Sequence, residues 1–237
     1  MKVRILSDLH MELHPFKLII NKVADVCILA GDIGNPYNVD YDDLLLQLSL
    51  THEKVFVIAG NHEYYHQNIE VVDDYIDALC NQYDNVHYLQ KSVFIYKGIQ
   101  FIGCTLWSHI TDPTLCKYMN DFCKININDK KLTFDDYNHI HLEHQQWLEQ
   151  ALQSNGVKIC ITHHLPLTSL IHDMYKDNPL NSFYASDMTI TGANYWVYGH
   201  THHVNHTIID GIEFHCNPRG YKDEASGFNM NYIFELV

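Results

Sequence analysis

Basic residues are scarce in this chain: 15 lysines and arginines stand against 29 aspartates and glutamates, a formal charge of −14. A field of that sign disfavours nonspecific attraction to nucleic acid or to an anionic membrane surface. It leaves room for a phosphorylated substrate where bound cations reverse the field locally. No uninterrupted apolar run reaches transmembrane length, and the run from Val3 to Leu6 is too short for a secretory signal and meets Ser7-Asp8 at once. The seven cysteines are odd in number, scattered, and contain no C-x-x-C pair. Neither a disulfide framework nor a thiolate zinc site is therefore expected, and Cys27, Cys104, Cys160 and Cys216, which sit inside apolar runs, read as small core residues. Linkers, internal repeats and low-complexity tracts are also lacking. The expectation is one domain over residues 1–237, in a cytoplasmic protein with no membrane partner.

What is present is a globular composition, 46% hydrophobic and 19% charged. Short apolar runs alternate with helical patterns, which predicts an α/β protein. Strands are expected at Val3–Leu6, Val26–Ala30, Val55–Ala59, Val157–Ile161 and Tyr195–Tyr198, with a last one near Tyr232–Leu236. Two hairpins are expected, Val93–Tyr96 with Ile99–Cys104 across Lys97-Gly98, and Ile208-Ile209 with Ile212–Cys216 across Asp210-Gly211. Helices are predicted over residues 15–24 (opening at Pro15), Asp42–Leu50, Ile69–Tyr83, and from a cap at Asp135 or Asp136 to about Gln153, closed by Asn155-Gly156. Residues 107–134 mix polar and aromatic side chains irregularly and read as an insertion or lid, and 167–192 as loop with short helical turns.

The chemistry lies in how the strands end. Five apolar strand candidates run into Asp8/His10, Asp32, Asn61/His62, His163 and His200/His202. Ligands of open α/β sheets collect at the carboxyl ends of the strands, so these side chains share one rim. Asp8 and His10, two apart on an extended segment, would face the same side; taken alone, an Asp cap beside a surface His explains them equally well. Together the ends supply two carboxylates, one amide and up to five imidazoles, with no thiolate. That exceeds the needs of one tetrahedral zinc and suits manganese, iron, zinc, cobalt or nickel better than calcium or magnesium alone. Two divalent ions ~3.5–4 Å apart, bridged by a carboxylate, would use the whole set, as where an in-line phosphoryl displacement is stabilised.

In order along the chain, Asp8-Leu9-His10, Gly31-Asp32, Gly60-Asn61-His62-Glu63, His163 and Gly199-His200-Thr201-His202 resemble the motif series of the calcineurin-like metallophosphoesterases. Ser-Asp-Leu-His near the start and Asn217-Pro218-Arg219-Gly220-Tyr221 near the end look like the small bacterial or phage phosphohydrolases of that superfamily. The resemblance implies a four-layer α/β/β/α sandwich of two mixed sheets flanked by helices. It implies that Asp8, His10 and His202 hold one metal and Asn61, His163 and His200 a second, with Asp32 bridging and manganese the favoured ion. It also implies that a metal-bridging hydroxide attacks a phosphodiester or phosphomonoester while His62, not a ligand, contacts the phosphate and protonates the leaving oxygen. The Asp-Arg pair that follows G-D in the protein phosphatases of the superfamily is missing after Gly31-Asp32-Ile33-Gly34-Asn35. This argues against a protein substrate and leaves His62 with no identified orienting partner.

Asn35 and Arg219 are further candidates for phosphate contact, Arg219 because a guanidinium grips phosphate bidentately. Trp107 and His109 are candidates for the pocket wall, with core packing favoured for Trp107; His164 and His203 should point away from their ligand neighbours. Two rival readings are a metal-binding scaffold without catalysis, which the presence of His62 argues against, and a nuclease, which the acidic charge argues against. The expected partner is a small phosphorylated molecule, nucleotide-like among the options. Oligomeric state is not legible.

Overall fold

The computed structural model describes residues 1–14 and 20–236. Elements follow in the order β1 Lys2–Leu6, β2 Val26–Ala30, α1 Val39–Thr51, β3 Lys54–Ile58, α2 Ile69–Cys80, β4 Val86–Tyr88, β5 Ser92–Tyr96 and β6 Ile99–Cys104. The chain continues through α3 Asp121–Lys124, β7 Asn126–Ile127, β8 Lys130–Lys131, α4 Phe134–Ala151, β9 Lys158–Thr162, β10 Tyr195–Tyr198, β11 Asn205–Ile209, β12 Ile212–Cys216 and β13 Ile233–Glu235. Short 3₁₀ turns punctuate the long loops, at His62–Tyr64, Pro113–Tyr118, Thr168–Leu170, Asp173–Tyr175 and Pro179–Phe183.

The large strands form two mixed sheets, one ordered β13-β1-β2-β3-β4 and the other β11-β12-β10-β9-β6-β5. Strands β1 to β4 run parallel, with β13 antiparallel at the edge. In the second sheet β12, β10, β9 and β6 are parallel, and β11 and β5 are antiparallel edges. Alternation along the strands separates three cores. Val26, Ile28, Phe56 and Ile58 face Phe101, Ile159, Ile161 and Val197 between the sheets. Cys27, Leu29, Val55 and Val57 face outward to Leu44 and Leu48 of α1 and Val72 and Ile76 of α2. Ile102, Cys160, Trp196 and Phe214 face outward to Leu148 of α4 and Leu152 just beyond it. Three apolar interfaces between four layers make the α/β/β/α sandwich, and burial on both faces explains why the parallel strands read as continuous apolar runs.

Both expected hairpins are present, each turning through two residues of positive φ: Lys97 and Gly98 (49° and 79°), and Asp210 and Gly211 (50° and 80°). Other expectations need correction. The helix expected over 15–24 falls partly outside the described residues, and residues 20–24 carry no helix. Helix α4 is capped by Thr133, not by Asp135 or Asp136; Asp136 is the third residue of a capping box, its carboxylate accepting from Thr133 N at 3.1 Å. Strand β4 is three residues long, too short to leave a periodic signal. Segment 107–134 is irregular as expected, but holds a 3₁₀ turn, α3 and the β7–β8 ribbon. Among the described residues no helix is long and apolar enough to cross a membrane.

The rings of Phe56 and Phe101 stack at 4.2 Å across the inter-sheet core. Truncation by Phe56→Ala should cost about 3–5 kcal/mol, lost contact and unfilled cavity together. Equilibrium urea unfolding checks this, and a loss under about 1 kcal/mol would mean the sheets close up around the gap.

Candidate metal centre

The carboxyl ends of the two sheets meet at one rim. His163, just beyond β9, places Nδ1 2.9 Å from Ala30 O at the end of β2. Gly199 N–H, beyond β10, donates to His163 O, and Asp8 N–H, beyond β1, donates to Gly31 O. Asp8 and His10 do converge, but not on an extended segment: both have positive φ (50° and 47°), as do Asp32 (54°) and His200 (64°). Four non-glycine residues in the left-handed region within one cluster is backbone strain concentrated at the site. Gly60 is needed for closeness: a Cβ there would lie 2.6 Å from Asp32 N and 2.7 Å from His163 Cε1.

Four donor side chains, His163, His200, His202 and Asn61, each have one polar atom tied back to the protein, which aims the other atom inward. His163 uses Nδ1 on Ala30 O, and its Nε2 faces Asp32 Oδ1 at 3.3 Å without a hydrogen bond. His200 uses Nε2 on Phe183 O at 3.2 Å, and His202 uses Nδ1 on Glu224 Oε2 at 2.5 Å. The Asn61 amide donates to Asp121 Oδ1 at 2.9 Å and to Tyr65 OH at 3.2 Å, while its buried Oδ1 has no partner. Asp8 accepts the His200 N–H on both oxygens, at 3.0 and 3.1 Å. His10 Nε2 and His202 Nε2 lie 3.1 Å apart, and His202 Nε2 is 3.6 Å from Asp8 Oδ1.

Two donor sets result. Asp8, His10 and His202 converge in one group, Asp32, His163 and His200 in another, and Asp32 also groups with His10 and His62. A buried acceptor such as Asn61 Oδ1, with no hydrogen-bond partner among the described residues, is costly unless a cation satisfies it. The anchoring of His163, His200 and His202 through one ring nitrogen is the arrangement that metal-ligating histidines adopt. The residues present fit two divalent ions sharing Asp32.

Electrostatics at the rim follow from burial and neighbours. Burial pushes the Asp8 carboxyl up, only partly opposed by His163 and His202. Burial acts the same way on Asp32, but the imidazoles of His163 and His62 outweigh it and hold that carboxyl well below the usual range. Burial opposes charge on His163, yet Asp32 raises it to about 10, whereas burial holds His200 well below normal.

His62 stands beside the donor sets. Its backbone N–H donates to Asp32 Oδ1 at 2.9 Å, and its Nε2 is 4.0 Å from Asp32 Oδ2 and 3.5 Å from Tyr221 OH. The orienting partner that the sequence left unnamed is Glu12, whose Oε1 lies 2.9 Å from His62 Nδ1. Burial alone would raise Glu12; hydrogen bonds with His10 and His62 bring it down to about 2. Glu12 follows His10 by two residues, so the i, i+2 reading that linked Asp8 to His10 would have reached it. Asp121, the first residue of α3, and Glu224, in the loop after β12, aim Asn61 and His202 and belong to no motif that would mark them.

Glu63 is buried and serves as a bracket. Its Oε2 accepts from Gly60 N (2.8 Å) and Asp32 N (3.0 Å), its Oε1 from Ile33 N (2.7 Å), which binds the loops after β2 and β3 together. Burial and nearby Asp32 raise its carboxyl to about 7.

The two candidate phosphate contacts are placed elsewhere. Asn35 Oδ1 accepts from Tyr37 N in an exposed turn, and Arg219 Nη1 donates to Leu9 O (2.7 Å) and His14 O (3.2 Å). Trp107 is fully buried in the core, as expected, whereas His109 is exposed and belongs to a separate groove on α4. His164 is buried behind His200, ring centroids 4.2 Å apart, with Nε2 3.3 Å from Tyr137 OH; His203 stacks on His172. A cavity of about 340 Å³ opens over the centre, walled by Tyr65, Tyr118, Tyr175, Tyr184 and Tyr221. Its described lining contains no lysine or arginine.

The chain belongs to the calcineurin-like phosphoesterase family, whose profile matches residues 1–204, and it is a metal-dependent phosphoester hydrolase. Members of the family generally use two divalent metals. The chain is 30% identical over 271 aligned residues to an uncharacterized protein of Acanthamoeba polyphaga mimivirus, covering 96% of this chain and 94% of that one. Among solved structures, the phosphopantetheinyl hydrolase of Mycobacterium tuberculosis shares the fold at a TM-score of 0.71 and 17% identity, over 95% of this chain and 93% of that one.

Replacing Glu63 by Gln would set an NH₂ group against one of the N–H donors it now brackets. Glu63→Gln should cost about 1–3 kcal/mol in urea unfolding and lower bound metal measured by plasma mass spectrometry. Wild-type stability and metal content in that variant would rule out the bracketing role.

Proposed function

We propose that this phosphoesterase hydrolyses a small phosphodiester bearing a planar or apolar group, with Asp8, His10, Asp32 and His202 holding one divalent ion and Asp32, Asn61, His163 and His200 the other. Manganese suits the mixed oxygen and nitrogen donors, as do iron, zinc, cobalt and nickel. The observation that carries the reading is the convergence of Asp8, His10 and His202 and of Asp32, His163 and His200, with Asn61 Oδ1 beside Asp32's loop buried and without a partner among the described residues. When bound, the two ions supply charge neutralisation for phosphoryl oxygens and lower the pKa of water.

The protein's own groups do the rest. His62 Nε2 faces the centre while Glu12 fixes Nδ1, which sets the ring plane and keeps a proton on the nitrogen toward Glu12. Burial disfavours the imidazolium, but Asp32 and Glu12 more than restore it, so the His62 pKa is raised and Nε2 holds a proton to give to the leaving oxygen. Tyr65 and Tyr221 pack on His62 and His10, with ring centroids 4.3 and 4.7 Å apart, and limit how those rings turn. The described lining has no lysine or arginine to meet the second charge of a phosphomonoester dianion, and a diester carries one charge less. The tyrosine walls offer stacking surface to the rest of such a substrate.

His62→Ala in manganese-loaded protein should keep its metal and lose ~10²–10⁴-fold in kcat on bis-p-nitrophenyl phosphate. Unchanged kcat would remove His62 from the reaction. Glu12→Gln should reduce kcat less, and it should move the alkaline fall of the pH–rate profile to lower pH. The sign follows because Glu12 raises the His62 pKa, so without it the acid loses its proton earlier. Turnover of p-nitrophenyl phosphate above that of the diester would make the protein a phosphomonoesterase instead.

A further inference from the structure

A second cluster of ligand-type side chains lies outside the centre, on the hairpin β11–β12. In the antiparallel register His206 is directly opposite His215, and Glu213 precedes His215 by two residues, so all three project from one face of the sheet edge. Glu213 Oε1 sits between the imidazoles, 2.9 Å from His206 Nε2 and 3.1 Å from His215 Nε2. The three donor atoms lie within 4.8 Å of one another.

His215 is the decisive member. It is 1% exposed, stacked on Phe234 at 4.0 Å and on His206 at 4.6 Å, and its Nδ1 is 2.8 Å from Tyr232 OH. Its Nε2 is buried and, among the described residues, makes no hydrogen bond even though a carboxylate oxygen is in range. If Nδ1–H is donated to the tyrosine oxygen, Nε2 carries a lone pair, and Glu213 Oε1 lies 3.1 Å from it but off the line that a hydrogen bond would need. Two acceptors held this close are unfavourable unless a cation lies between them. An oxygen on the far nitrogen is also what orients a ligating imidazole. Burial lowers the His215 pKa to about 3, so the ring is in the neutral form that ligates.

We propose that His206, Glu213 and His215 form a third metal site, separate from the phosphoesterase centre, for a late first-row divalent cation, with Zn²⁺ the natural occupant. Two imidazole nitrogens and one carboxylate oxygen are a common zinc donor set, completed by water in a fourth position. Bonds of ~2.0–2.1 Å in a tetrahedron place neighbouring donors ~3.3 Å apart, close to the separations already present here. The His206 side chain is 53% exposed and that of Glu213 32%, which leaves the cation a path from solvent. Through Tyr232 and Phe234 the site would fasten the edge hairpin of one sheet to the edge strand β13 of the other.

The test is zinc stoichiometry after equilibration with excess Zn²⁺ and passage over a chelating resin, for wild type, His206→Ala and Glu213→Gln. Both substituted side chains are partly exposed, so the variants keep the fold. Wild type should hold one equivalent more than either variant, whatever the loading of the phosphoesterase centre. Zn²⁺ should raise the Tm of wild type above that of His206→Ala, whose kcat should stay at the wild-type level. Equal zinc content in all three proteins overturns the proposal, and so does a deficit that appears with equal zinc-induced rises in Tm.

Discussion

The carboxylate of Asp32 is the point on which the rest of the rim depends. It is 2% exposed, and burying an ion to that degree is costly unless opposite charge and hydrogen bonds surround it. Around it stand His163 Nε2 at 3.3 Å, His10 Nε2 at 3.9 Å, and the backbone N–H of His62 at 2.9 Å. Its own backbone N–H is held by Glu63 and its carbonyl by His10 N–H. The loops that follow β1, β2, β3 and β9 are therefore fixed relative to one another through a single residue. Its positive φ is a strained conformation maintained because those contacts over-determine it.

Around that residue the protein separates holding from acting. Four of the donor side chains, His163, His200, Asn61 and His202, are each aimed by a hydrogen bond to a group elsewhere in the chain: Ala30 O, Phe183 O, Asp121 and Glu224. His62 shares the pocket but has a support of its own in Glu12, which sets its ring and raises its proton affinity. Anchors drawn from β2, the Pro179–Phe183 turn, α3 and the loop after β12 allow the centre to tighten only once the two sheets have packed. The uncharged tyrosine wall above it leaves recognition of the phosphoryl group to the rim itself.

The donor residues were legible because the chemistry requires particular residue types at strand ends, and strand ends are readable from apolar runs. Asp8, His10, Asp32, Asn61, His163, His200 and His202 all arrive at one rim. The supports were not legible, because a carboxylate such as Asp121 or Glu224 has no local pattern that tells it from a solvated one. Glu63 illustrates the limit within a motif: its position was plain, but an extended chain would have sent it away from His62, and only the 3₁₀ turn at His62–Tyr64 folds it back under Asp32. A guanidinium near a phosphate site invites a binding role for Arg219, and the structure adds that its Nη1 donates to the carbonyls of Leu9 and His14.

By itself the sequence determined an alternation of strands and helices and which donor-type side chains stand at the ends of its apolar runs. Periodic burial and strand-end chemistry are local properties, written in residues that stand next to one another. Tertiary structure alone decided which nitrogen of each histidine faces inward, which carboxylate orients His62, and that His206, Glu213 and His215 face one point from two strands. Those outcomes depend on hydrogen bonds and registers between segments up to 192 residues apart, as between Asp8 and His200. The geometry of such contacts exists only once the apolar faces of the two sheets have been buried against each other.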